Sequence, residues 1–423
     1  MNHRHLPRLT LPVLLSVLAP AALHSEDQFR AQQAGQYRYS MYTAMASPVV
    51  LPMDGKVSEA DWLTGLDVSI GDKLFPHMHL DTAFGTASRP QDQLAAGHHD
   101  PIRRDGFTFQ NIEFSLSGRL DEHNEFFVTW AGNAGEDDQV NGIWEEAFWK
   151  FKNIPGGFEL RLGRVYNRFG IQNTYHPHGF DWVDQYLVNA RLLGDDSLTT
   201  VGAEITWVAP VPWWHAQFDV ALGGAPGDHE GHGAGFTGLY NPEEAAFGAE
   251  KFVTVANWTN VYNLNDFHQL RGGVSGAWGE NESAFYTAIY GTHFEYQWRE
   301  NGLEPGGQYF RFRTEAMFRR FQVEDEITGD PGVATRDFGW YASFLYGLPC
   351  NCELGFRTEY ASGDTETEQD ARFRCSPGIT WYANQARSLR LRLQYNYDQS
   401  STFGTDHGVW GQISLAWGGP EVR

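Results

Sequence analysis

Residues 388–398, SLRLRLQYNYD, alternate strictly in polarity: Leu389, Leu391, Leu393, Tyr395 and Tyr397 share one face, and Arg390, Arg392, Gln394, Asn396 and Asp398 the other. Successive strand side chains point to opposite faces, so a period of two specifies a strand with one apolar and one polar side. One such strand fits any half-buried sheet; recurrence is the constraint. Residues 407–417 set Val409, Gly411, Ile413, Leu415 and Trp417 against Trp410, Gln412, Ser414 and Ala416. Residues 309–319 set Phe310, Phe312, Ala316 and Phe318 against Arg311, Arg313, Glu315 and Arg319. Residues 284–298 set Tyr286, Ala288, Tyr290, Phe294, Tyr296 and Trp298 against Thr287, His293, Glu295 and Gln297, and residues 214–222 set Trp214, Phe218, Val220 and Leu222 against His215, Gln217 and Asp219. Polar faces bearing arginines would leave a soluble sandwich without a core, because an unpaired buried charge is very costly. A propeller would show a signature every 40–50 residues or so, and none is present. A sheet closed around a polar lumen, with its apolar face toward lipid, meets both conditions.

Sixteen segments carry the pattern: 76–86, 107–119, 125–133, 143–152, 158–165, 198–208, 214–223, 250–261, 267–278, 283–297, 308–321, 336–346, 352–361, 371–383, 388–398 and 407–417. Their connections differ in character. Tight links lie at 120–124, 153–157, 209–213, 262–266, 347–351 and 384–388, and longer polar segments at 87–106, 166–197, 224–249, 322–335 and 362–370. Short turns at one rim and long loops at the other are the mark of an outer-membrane barrel. The expected fold is therefore all-β, a transmembrane antiparallel β-barrel of about sixteen strands over residues 76–423, with short periplasmic turns and long outer loops.

Composition agrees. Aromatic residues make up 15% of the chain and glycine is frequent, at 46 residues, as two aromatic girdles and close-packed strands require. No apolar run after the N-terminus reaches the length of a spanning helix. Residues 1–25 read as a signal peptide: Arg4 and Arg8, a short apolar run from Leu9 to Ala22, then polar residues. Residues 26–75 show no clean period and fit a periplasmic lead, a plug or an extra strand. The formal net charge of −22 becomes more negative once Arg4 and Arg8 leave with the signal, which argues against nucleic acid as a partner. Three cysteines, Cys350, Cys352 and Cys375, do not make a disulfide framework.

The stretches GFTFQNIEFSLSGRLDEHNEFFVTW, EEAFWKFKNIPGGFELRLGRVYNRFGIQNTYHPHGFDWVDQYL, EITWVAPVPWW and the closing SLRLRLQYNYDQSSTFGTDHGVWGQISLAWG resemble a family of bacterial porin-like barrels. Its members are often labelled zinc-regulated TonB-dependent outer-membrane receptors and, more broadly, resemble porins. The resemblance implies outer-membrane location, contact with lipid and lipopolysaccharide, and passage of small solutes or ions. A TonB-gated receptor resembles a twenty-two-stranded barrel with a separate plug, for which 423 residues leave too little chain. Porins of this kind are often homotrimers, an assembly that needs an exposed flat wall. In sixteen-stranded porins the third outer loop, here 166–197, folds into the lumen as a constriction.

That loop carries His176, His178, Asp181 and Asp184, which match the family's His-rich, Asp-bearing motif. Imidazole and carboxylate suit zinc or a similar divalent ion; the same groups also serve to hydrogen-bond the loop to the wall. No other cofactor is expected. On the lumen face the alternation places Arg119, Arg161, Arg271, Arg311, Arg313, Arg357, Arg372, Arg374, Arg390 and Arg392, together with Glu113, Asp219, Glu295, Glu315, Glu353 and Glu359. Such arrays tune ion selectivity or pair across strands. Three functions follow as expectations: a diffusion channel constricted by 166–197, a metal-binding uptake receptor, and a closed structural barrel. No GxSxG or HExxH motif and no Ser/His/Asp grouping points to catalysis.

Overall fold

The computed structural model of the chain describes residues 73–90, 105–134, 140–194, 197–211, 214–224, 252–280, 286–302, 307–324, 331–363, 370–383 and 388–418. The expected signal peptide, residues 1–25, and nearly all of the 26–75 segment lie outside the described residues. Sixteen strands follow in chain order: β1 (Leu74–Ala87), β2 (Gly106–Arg119), β3 (Asn124–Ala134), β4 (Val140–Ile154), β5 (Phe158–Tyr166), β6 (Thr199–Ala209), β7 (His215–Gly224) and β8 (Val253–Asn263) form the first half. The second half comprises β9 (His268–Glu280), β10 (Tyr286–Arg299), β11 (Tyr309–Glu324), β12 (Pro331–Leu348), β13 (Cys352–Ala361), β14 (Arg372–Tyr382), β15 (Leu389–Ser400) and β16 (Gly404–Gly418). Each strand pairs antiparallel with its sequence neighbours, and β1 closes on β16 from His77↔Gly418 to Ala87↔Gly408. Closure leaves no sheet edge, so the backbone bonds of the wall are satisfied within it.

Strand number and phase agree with the period-two reading. The ends do not always. β12 starts at Pro331 and β16 at Gly404, ahead of the expected 336 and 407, because the alternation fades where a strand rises out of lipid and its outer face no longer needs to be apolar.

The outward face is apolar at mid-strand and aromatic toward both ends. Val274, 57% exposed, and Leu393, 52% exposed, sit in the central band of β9 and β15. Phe107, Trp144 and Tyr286 are exposed near the outer ends of their strands, and Phe158, Trp214, Tyr262, Phe267 and Trp381 near the short turns. An apolar belt between two aromatic girdles on a closed barrel is a lipid-facing surface, and the protein is an outer-membrane-type β-barrel. Leu393→Arg is expected to lower unfolding stability in lipid by about 2–4 kcal/mol, checked by urea titration in vesicles. A change below half of that would place residue 393 outside the hydrocarbon.

The inward face differs from expectation in one respect. It is polar along most strands, but Ala221, Val253, Val255, Ala277, Ile289, Met317, Tyr341 and Leu345 make an apolar patch across β7–β12. The expectation is of a polar lumen throughout; these positions are apolar and buried because a loop packs on them.

Among the described residues the wall has four register shifts, and two of them bear on the loop. Between β3 and β4 the register runs Thr129↔Glu146 and then Trp130↔Trp144, stepping past Glu145, so Glu145 and Glu146 both lie buried on the inside. Between β1 and β2 it runs Asp81↔Asn111 and then Thr82↔Phe109, which buries both Gln110 and Asn111. A bulge re-aims a side chain that strict alternation would send to the other face.

Candidate functional site

Residues 167–198 leave β5, enter the barrel and return to β6. The neck of this third outer loop is tied by the Asn167 N–H donating to the Leu198 carbonyl at 3.0 Å. The Asn173 amide donates to the carbonyls of Asn167 (2.7 Å) and Leu198 (3.0 Å), and its oxygen accepts from the Leu198 N–H at 2.7 Å. Two single 3₁₀ turns, Gln172–Thr174 and Pro177–Gly179, and a short helix, α1 (Leu187–Leu193), lie within it. The sequence reading anticipated the inward fold of the loop but not α1, whose seven residues are all buried and so show no polar face to mark a period of 3.6.

An apolar berth receives one part of the loop. Phe169, Trp182, Tyr186, Val188, Leu192, Leu193 and Leu198 cluster with the inward patch of β7–β12. Wall glycines make the room: a Cβ on Gly355 would stand 2.7 Å from the Trp182 ring, one on Gly339 2.7 Å from Val188, and one on Gly291 2.8 Å from Phe169. Tyr186 stacks on Tyr341 with centroids 3.6 Å apart, and the Trp182 N–H donates to the Tyr186 hydroxyl (3.0 Å) and the Ser343 hydroxyl (3.2 Å).

Charge fixes the rest. Asp184 accepts from Arg374 at 2.8 Å, from the Gln394 amide at 2.7 Å, from the Asn396 amide at 3.0 Å and from Arg357. Asp181 pairs with Arg313 at 3.2 Å and with Arg311; Arg313 also holds Glu295 at 2.7 Å. Arg392 donates to the loop carbonyls of Trp182 (2.6 Å) and Phe180 (2.9 Å), and Arg390 to that of His178 (3.1 Å). Wall carboxylates complement loop amides: Glu315 accepts from the Gln172 N–H (2.8 Å), and Glu359 accepts from the Leu187 N–H (2.7 Å) at the start of α1, where a negative charge meets free N–H groups. A Cβ on Gly170 would meet the Glu315 carboxylate at 2.6 Å, and its backbone is left-handed with φ 66°; this corner requires glycine.

The arginine ladder therefore faces the lumen as the alternation places it, but the loop's acids and carbonyls occupy much of it. Arg357, with no exposed surface, is covered by Trp182 and Tyr186 and also holds Glu359 at 3.0 Å. Arg161 pairs with Glu204, Arg119 with Glu125 at 3.5 Å near the turn rim, and Arg372 with Asp370 at 3.3 Å. Arg271 is half-buried, directly across from Glu295 on the neighbouring strand. Burial opposes the negative charge of Asp184, but Arg357 and Arg374 outweigh it and hold its carboxyl below the ordinary value of 3.8. A depressed carboxylate contributes stability that is complete above its unfolded value and lost as pH falls through the folded one, so this clamp holds at neutral pH and releases only in strong acid.

The two histidines part company with the two aspartates. His176, fully buried, sets Nδ1 2.6 Å from Glu145 and 3.5 Å from Glu113, and Nε2 2.9 Å from Glu146. His178 Nδ1 lies 2.6 Å from Glu113, and its ring stacks on His79 with centroids 3.8 Å apart. The four residues of the His-rich, Asp-bearing motif thus do not converge: the imidazoles meet Glu113, Glu145 and Glu146 on β2 and β4, and the aspartates meet arginines on β11, β13 and β14. Glu145 and Gln110, whose amide donates to the Val183 carbonyl at 2.9 Å, were missed because the bulges shift their phase; Glu146 keeps the inward phase of Lys150 and Lys152 and was not singled out. A register break is not visible in a period-two count.

Toward the short-turn rim the inward face is more open. His215, Gln217, Gln269, Arg271, Gln297 and Arg299 are partly exposed there, on β7, β9 and β10. They form a polar mouth below the loop.

No protein-family model matches the chain. Among curated proteins it is 28% identical over 117 residues to an Aquifex aeolicus (strain VF5) protein described as uncharacterized; the match covers 28% of this chain and spans about a quarter (24%) of that relative's length. Among solved structures it is similar to an anion-selective porin from Comamonas acidovorans (10% identity, TM-score 0.51, 81% of this chain and 99% of that one). It is also similar to Pseudomonas putida OprB (10%, 0.51, 82% and 94%) and to Salmonella typhi OmpF in complex with daunomycin (12%, 0.50, 81% and 96%). At these identities the likeness shows the fold, a porin-type barrel. The TonB-dependent receptor label is not supported: the barrel has sixteen strands, and these neighbours are porin barrels.

Proposed function

We propose that the protein is an outer-membrane channel of the porin type, which passes small polar solutes or ions along a lumen constricted by residues 167–198. The observation that carries this reading is the loop itself, folded inside the barrel and held to the wall by Asp181 and Asp184 on paired arginines. A barrel serving only as a scaffold has no use for an internal loop with buried, directional ion pairs, since such pairs seldom add net stability over apolar packing. Solute would enter the polar mouth of Gln217, Gln269, Arg271, Gln297 and Arg299 and meet the loop above it. Because the loop acids neutralise much of the ladder, charge preference falls chiefly to partly exposed groups such as Arg271.

The test is single-channel recording in planar bilayers under a salt gradient. Stable conductance steps are expected, and Arg271→Glu should move the reversal potential toward cation preference. A membrane that stays silent with correctly folded protein sinks the channel reading and favours a closed barrel. That second reading is favoured by one observation, the near-complete burial of inward polar side chains such as Glu113, Thr129, Glu204 and Ser376.

A further inference from the structure

We infer that Glu113, His176 and His178 form a binding site for a divalent transition-metal ion, of the zinc or cobalt(II) class, which staples the constriction loop to the β2–β4 wall. A ligand atom from each of these three residues lies within 4.8 Å of the others. Around a tetrahedral ion with bonds of about 2.0–2.1 Å, neighbouring donor atoms stand roughly 3.3 Å apart. Observed separations bracket that figure: 3.5 Å from Glu113 to His176 Nδ1 and 2.6 Å from Glu113 to His178 Nδ1. Glu145 lies 2.6 Å from the same His176 nitrogen, outside the three donors that converge. Two imidazoles and a carboxylate, with the remaining position left to solvent, match a borderline ion better than calcium or magnesium, which take oxygen donors.

The surroundings have the form that metal ligands need. With Nδ1 of His176 turned to the ion, Nε2–H donates to Glu146 at 2.9 Å; a carboxylate behind a ligating histidine fixes its tautomer and raises its basicity. His79 stacks flat on His178 and holds that ring in plane. The β3–β4 bulge is what lets consecutive glutamates both face His176, Glu145 at Nδ1 and Glu146 at Nε2. The cluster is buried, with Glu113 and His176 showing no exposed surface. Three carboxylates and two imidazoles together carry excess negative charge that a dication would offset.

Both histidines belong to the loop and Glu113 belongs to β2, so the ion would bridge loop and wall. This regulatory consequence rests on the channel reading; the binding itself does not. The test uses the full chain, folded in detergent and stripped with a chelator, titrated with cobalt(II) and followed by its visible absorption, then competed with zinc. One equivalent is expected to bind with a tetrahedral cobalt spectrum. His178→Asn and Glu113→Gln should each weaken binding at least tenfold, and Glu146→Gln should weaken it about 10–100-fold while retaining the spectrum. Should a variant fail to fold, hydrogen exchange of the native protein decides: zinc should slow exchange in residues 174–180. Absence of saturable binding, affinity unchanged in both ligand variants, or exchange at 174–180 indifferent to zinc overturns the site. In the last case the buried groups are held by protons shared between imidazole and carboxylate. If the bilayer is silent yet cobalt binds, the channel reading fails and the metal site stands.

Discussion

Asp184→Ala is expected to free the constriction loop from the barrel wall, giving larger and noisier single-channel conductance. The carboxylate removed accepts from two guanidinium and two amide groups, all buried. Deleting one side of a buried pair leaves the other charge without its partner and costs about 3–5 kcal/mol. Each 1.4 kcal/mol is tenfold in an equilibrium constant, so the closed arrangement of the loop should lose about two to three and a half orders of magnitude against released states. The wall is untouched, so the folded barrel should still resist unfolding by sodium dodecyl sulfate on gels. Unchanged conductance would mean that the loop does not limit flow.

Trp182→Ala should act on the same element through packing. The ring is buried, sits against Gly355 and Gly378, lies 5.1 Å from the Arg357 guanidinium and donates its N–H to Tyr186 and Ser343. Truncating a buried aromatic ring to alanine costs about 3–5 kcal/mol, part of it for the cavity left behind. Limited proteolysis within 167–198, set against intact β-strand fragments, measures the release. Trp182 and Asp184 share Arg357, so the double variant should lose less than the sum of the single ones. Strict additivity would show two independent clamps.

The barrel was legible in the sequence for a definite reason. Lipid outside and polar groups inside force every strand to alternate, and Leu389 through Asp398 or Phe310 through Arg319 write that demand directly. The inward direction of Arg311, Arg357 and Glu359 followed from the same count. What Arg357 meets did not: its partner Asp184 is 173 residues away, and no local pattern encodes that distance. The inner apolar patch was not anticipated, because Ala221, Val255 and Ile289 are covered by a loop from a distant part of the chain rather than by a second sheet. Glu145 and Gln110 were lost to bulges, and α1 was lost because burial on all sides erases helical amphipathicity. His176 and His178 were picked out as ligand types, but their partner Glu113 lies on the second strand and Glu145 at a register break.

The loop's fastenings are also a condition on assembly. Gln394, Asn396 and Arg392 come from the end of the barrel sequence, Glu113 and Gln110 from its beginning, and all of them hold the one segment between His176 and Leu187. Hydrogen bonds spanning 210 residues on one side and 65 on the other form only once distant strands stand in their final places, and contacts of such separation come late in folding. Until β1 meets β16, Asp184 and the loop carbonyls lack part of their partners, and the segment has no reason to settle. Its docking therefore works as a seal: the interior becomes ordered only in a barrel whose wall is complete.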